Sequence, residues 1–155
     1  MKSITFYQVQ STLYKVTIPK VIIKILEVAK KVNFLCKDED EMEYLDSLMW
    51  SFSQLSFIPH STENDKFDVE LQDLIIATNF DHLIRHSNFL ILSSTDLLAN
   101  FNIDLVNDIF VITTENVNIK YLLTKLNDKL FGNKIKYFIQ NLDSTWKVGY
   151  DSLIG

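Results

Sequence analysis

The sequence predicts an α/β protein, a three-layer α/β/α sandwich around a largely parallel, Rossmann-like sheet that ends in an antiparallel hairpin. Three observations carry this prediction. Short apolar runs at 73–78 (DLIIAT), 88–92 (NFLIL) and 108–113 (DIFVIT) have the length and continuity of strands buried on both faces. Segments with helical spacing of apolar residues alternate with strands, and this order builds a parallel sheet. Two strand-like segments, 133–140 and 145–150, flank Asn141-Leu142-Asp143-Ser144, a hairpin signal. A chain of 155 residues is expected to form one domain, spanning 1–155, with a self-sufficient core.

In chain order, Ile4 to Val9 alternates as a strand with Phe6 and Tyr7 on opposite faces. Thr17 and Pro19 are expected to open the first helix, with Pro19 in the first turn, where its missing N–H is harmless. Ile22, Ile25, Leu26 and Ala29 supply its apolar stripe, and Lys20, Lys24 and Lys31 stay in solvent. Asn33 to Cys36 reads as a short strand. Lys37-Asp38-Glu39-Asp40 starts the second helix, where acids suit the N-terminal dipole. Met42, Leu45, Met49 and Phe52 form its predicted buried stripe. Residues 61–71 are polar and predict a surface loop. Glu115 to Phe131 reads as the last helix, stopped at Gly132.

Hydrophobic residues make up 47% and charged residues 23%, as in a soluble globular protein. No apolar run approaches a membrane span, and the N-terminus MKSITFYQ lacks the core of a signal peptide, so a cytoplasmic protein without membrane contact is expected. A single cysteine, Cys36, excludes an internal disulfide. The net charge of −5 argues against non-specific binding to a phosphate backbone, so nucleic acid is expected only indirectly, through a partner. The charge is nevertheless lopsided. Residues 116–150 hold six lysines against two acids, and residues 1–115 hold nine basic against seventeen acidic side chains.

Catalytic signals are weak. Gly132, Gly149 and Gly155 are the only glycines, and none sits in a first strand-to-helix turn where backbone N–H groups could cradle phosphate. No cofactor is expected. His82 and His86 have the spacing of a helical zinc pair, but no glutamate follows the first histidine. The acids from Asp38 to Glu43 read as helix-start residues rather than metal ligands, and Cys36 as a buried apolar filler. His60 is better placed to fix a turn than to act as a base.

Two stretches instead suit partner binding. In LDSLMWSFSQLSFIPH, residues 45–60, a helix ends at Trp50 and leads to Phe57-Ile58-Pro59-His60, which Pro59 holds extended. Rigid, accessible aromatics are enriched among interface hot spots. Along the last helix, Ile119, Leu122, Leu123, Leu126 and Leu130 share an apolar face bordered by Lys125 and Lys129.

The leucine-tryptophan helix end followed by Ser56-Phe57-Ile58-Pro59-His60 resembles the chi subunit family of bacterial DNA polymerase III, in its alphaproteobacterial form. Thr5-Phe6-Tyr7, Leu35-Cys36 and the hairpin closing on Trp146-Lys147 agree with it. The resemblance implies a non-catalytic accessory subunit that links the clamp loader to single-stranded DNA-binding protein. It implies that Trp50, Phe57, Pro59 and His60 meet psi, the companion subunit in the clamp loader. It further implies that Leu122, Lys125, Leu126 and Lys129 receive the acidic C-terminal tail of single-stranded DNA-binding protein. Relatives often carry an aromatic beside Arg or Lys about seven residues before the glycine; here the place holds Lys125-Leu126, with Leu122 where a basic residue often sits. The alternatives are a small Rossmann-like enzyme acting on a nucleotide or metabolite, and an adaptor of the same fold serving a repair helicase.

Overall fold

The computed structural model describes residues 3–51, 60–65, 72–83, 88–99, 106–118, 121 and 134–149. Their strands form one eight-stranded sheet. In chain order the elements are β1 (Ser3–Gln8), α1 (Tyr14–Ala29), β2 (Val32–Leu35), α2 (Glu39–Ser51), β3 (His60–Thr62), β4 (Leu74–Ala77), β5 (Phe89–Leu92), β6 (Asp108–Thr113), β7 (Lys134–Gln140) and β8 (Trp146–Val148). The spatial order is β3-β4-β2-β5-β6-β1-β7-β8. Every neighbouring pair is parallel except β7 with β8. The predicted α/β class, parallel sheet and terminal hairpin are all present.

Side-chain alternation divides the core in two. Ile4, Phe6, Leu35, Ile75, Leu90, Leu92, Ile109 and Val111 point to one face, covered among the described residues by Phe80, Leu83, Leu97, Leu98, Val106 and Val117. Val32, Phe34, Leu74, Ile76, Ile91 and Ile112 point to the other, where α1 contributes Ile18, Ile22 and Ile25 and α2 contributes Met42, Leu45 and Met49. Phe52, the fourth residue of the predicted α2 stripe, lies outside the described residues. Because the central strands are buried on both faces, their sequences are continuous apolar runs.

The structure corrects four expectations. α1 begins at Tyr14, after a single 3₁₀ turn at Ser11–Leu13, so Pro19 lies in its second turn rather than its first. There the missing N–H forfeits only the bond to the Lys15 carbonyl, while Tyr14 gains packing beside the Tyr44 ring, at 6.1 Å between centroids. β3 occupies the start of the predicted loop, because backbone pairing with β4 buries polar Ser61 and Thr62. Residues 115–118 are not helical, and the Asn118 side chain accepts from the Tyr121 N–H at 2.9 Å, as an N-cap residue does. The remainder of the predicted last helix lies outside the described residues, apart from helical Tyr121. Finally, His82 ends a 3₁₀ turn, Phe80–His82, rather than riding on an α-helix, and His86 lies outside the described residues.

The second helix starts as its acids predict. Asp38 Oδ1 accepts from the Glu41 N–H at 2.8 Å, an N-cap bond, and Glu41 Oε1 accepts from the N–H of Lys37, one residue before the cap, at 3.1 Å.

Candidate functional site

Among the described residues, four places could meet a ligand or partner. The first is the end of α2. Its stripe buries Met42, Leu45 and Met49, which turns Trp50 outward, 59% exposed. β3 brings His60 beneath it, with ring centroids 4.7 Å apart. His60 itself is 6% exposed, and its Nε2 lies 3.2 Å from Asp46 Oδ1. Burial pushes the Asp46 carboxyl upward, and His60 and the Trp50 side chain pull it back only in part. Trp50 is therefore the accessible member of this set, and His60 props it from inside. Phe57 and Pro59, the other two residues of the predicted surface, lie outside the described residues.

Next to it, the ends of β3 and β4 are tied by Glu63. Its carboxylate accepts from the Thr78 N–H at 3.1 Å and from the Thr78 hydroxyl, and pairs with His82 Nδ1. Burial alone would raise the Glu63 carboxyl, but the bonds from His82 and Thr78 outweigh it and hold the group below the usual glutamate range. His82 thus has one carboxylate partner. Among the described residues no three His, Cys, Asp or Glu gather to hold a metal.

A cleft of about 930 Å³ opens at the carboxyl ends of β1, β2, β5 and β6, the usual ligand position of a doubly wound sheet. Lys15 and Lys37 line it together with Asp38, Asp40, Glu41, Asp96 and Glu115 and the hydroxyls of Ser11, Thr12, Ser94 and Thr114. Two positive against five negative groups, with no glycine loop, disfavour a phosphate. Cys36 is buried behind this end of the sheet, and burial followed by Glu41 pushes its thiol well above the ordinary range. Such a thiol is neutral and unreactive, as a filler should be.

The fourth place is the β7–β8 edge, where Trp146 and Val148 stay exposed beside Lys134 and Lys136. The sequence reading did not single it out. Its signal was the alternation Lys134, Lys136, Phe138, which puts cations and an aromatic on one side of a strand. Leu122, Lys125, Leu126 and Lys129, the predicted tail-binding residues, all lie outside the described residues. No described helix is long and apolar enough to cross a membrane.

The family described as "DNA polymerase III chi subunit, HolC" matches the chain over residues 1–119. A protein of Rickettsia prowazekii (strain Madrid E), named "Probable DNA polymerase III subunit chi", is 29% identical over 156 aligned residues, which cover 94% of this chain and 91% of the relative.

Proposed function

The chain belongs to the DNA polymerase III chi subunit family, and from this premise we propose that it is a non-catalytic accessory subunit joining the clamp loader to single-stranded DNA-binding protein. The observation that carries the proposal is the family match, which runs through the whole of the sheet up to β6. Two parts of the sequence divide the work. Trp50, with Phe57 and Pro59 downstream, docks a psi-like companion subunit, and His60 supports the indole from within. The solvent-facing Trp50 ring favours that role, since an indole fixed at a helix end adds contact area at little entropic loss. The lysine-rich C-terminal region receives the acidic tail of single-stranded DNA-binding protein, with Lys125 and Lys129 meeting its carboxylates and Leu122 and Leu126 its terminal apolar side chain.

Calorimetric titration of a synthetic tail peptide tests this reading. Wild-type protein should bind it with an affinity that falls as salt rises. The double variant Lys125→Glu, Lys129→Glu should lose binding while keeping its melting temperature. Equal binding by both proteins would remove the tail from these lysines. In parallel, Trp50→Ala should weaken capture of a psi-like subunit without affecting the tail.

A further inference from the structure

The register of the hairpin puts a second, unassigned surface on the sheet. Tyr7 stands opposite Phe138, and Phe138 opposite Val148, so these residues share one side of their strands. Lys134 and Lys136 lie on that side at even spacing from Phe138, as Trp146 does from Val148. Tyr7 stacks on Phe138 with centroids 5.7 Å apart and planes at 22°, and Trp146 meets Tyr7 edge-on at 5.5 Å and 76°. The three rings form one cluster. Trp146 remains 37% exposed, Val148 58%, and both lysines face solvent. Neither lysine forms an ion pair among the described residues.

Helix α1 borders the cluster, because Gln140 at the end of β7 donates from Nε2 to Thr17 Oγ1 at 2.9 Å. Lys24, exposed and two helical turns beyond Thr17, lies on the same side of α1. The result is a sheet face with aromatic rings in its middle and lysines on two margins.

We propose that this face binds single-stranded nucleic acid, with bases stacking on Trp146 and the neighbouring ring of Phe138 while Lys134, Lys136 and Lys24 contact phosphates. Every base has a π-face, so such stacking is tolerant of sequence. Lys134 and Lys136 are spaced by about 7 Å along β7, a positive rail running beside the rings. An acidic peptide would use the lysines but leave the rings without a matching planar group. The net charge of −5 led to the expectation that nucleic acid is reached only through a partner. The local arrangement departs from it, and binding here rests more on rings than on charge. With two or three phosphate contacts the slope of log affinity against log salt should lie near −1.4 to −2.1, using about 0.7 per contact for a single strand.

The test is fluorescence anisotropy of the full chain with a labelled thymidine oligomer of about 15 nucleotides, near the upper site size of small single-strand binders. An abasic deoxyribose-phosphate oligomer of equal length and a poly-glutamate peptide serve as competitors. Thymidine oligomer should bind with the shallow salt slope above, and the abasic oligomer at least about tenfold more weakly. Trp146→Ala should weaken binding by a similar factor and Trp146→Phe should restore most of it, which separates stacking from a loss of fold. Lys134→Glu with Lys136→Glu should weaken binding and flatten its salt dependence, with the melting temperature as a check on folding. No binding at low salt, equal binding of the abasic oligomer, or equally strong displacement by poly-glutamate would each overturn the proposal.

Discussion

Glu63 shows what one side chain can do at the margin of a sheet. It accepts from Thr78 and pairs with His82, so a single carboxylate pins the end of β4, and the turn that follows, to the strand beside it. Its carboxyl is held below the usual 4.5 of a free glutamate. A depressed carboxyl contributes stability that is complete above the unfolded value and is lost as pH falls through the folded one. Wild type should therefore lose denaturant resistance below about pH 4.5 more steeply than Glu63→Gln. Urea midpoints measured from pH 6 to pH 3 check this, and parallel curves for the two proteins would deny Glu63 the role. Trp50 and His60 make the complementary point. The sequence placed both on one docking surface, yet helical periodicity turned Trp50 outward and pairing with β4 drew His60 inward. Spacing along a chain does not distinguish the two.

At the scale of elements, the hairpin is fastened by contacts that tolerate little change. Gly149 donates its N–H to the Tyr137 carbonyl at 2.7 Å, continuing the β7–β8 ladder. A Cβ there would stand 2.8 Å from Tyr137 Cδ2, and the ring is not free to retreat, because its hydroxyl donates to Gln8 and its edge meets Phe6. Gly149→Ala should cost about 1–3 kcal/mol by overpacking, read as a lower urea midpoint, whereas Val148→Ala on the exposed side should change it little. What was legible in the sequence follows the same physics. DLIIAT, NFLIL and DIFVIT announced themselves because strands buried on both faces must be apolar throughout. His60-Ser61-Thr62 gave no such sign, since its burial is secured by backbone pairing with β4 and by the Asp65 carboxylate accepting from the Thr62 N–H at 2.7 Å. Acidic Glu115 looks like a first-turn residue, yet residues 115–118 are not helical and it is Asn118 that accepts from the Tyr121 N–H. The aromatic cluster escaped notice because Tyr7 and Phe138 are neighbours only through the parallel pairing of β1 with β7.

For the molecule as a whole, the distribution of charge separates what the fold permits from what it does. The cleft at the strand ends has the location of a nucleotide site but an excess of carboxylates and no glycine loop. A thermal-shift series with mono-, di- and triphosphate nucleotides should leave the melting temperature unchanged, because only a ligand that binds the folded state raises it. A clear, saturable rise would return the small-enzyme alternative to the front. The topology has a further consequence in time rather than in space. Of the eight strands β1 is synthesised before the others, yet it lies between β6 and β7, and Ser3 pairs with Asp108 and Lys134. At bacterial elongation speeds of about 5–20 residues per second, Phe6 and Tyr7 must wait roughly 7–26 s for the second partner strand to leave the ribosome. Until β6 emerges both edges of β1 are open, and from then until β7 emerges one edge stays open. Assembly of the sheet is consequently complete only after β7 and β8 have emerged. A transcript cut short after β6 would yield a nascent chain with one edge of β1 still unpaired, prone to associate with its own copies, so the cell obtains either the finished sheet or a target for its quality-control machinery.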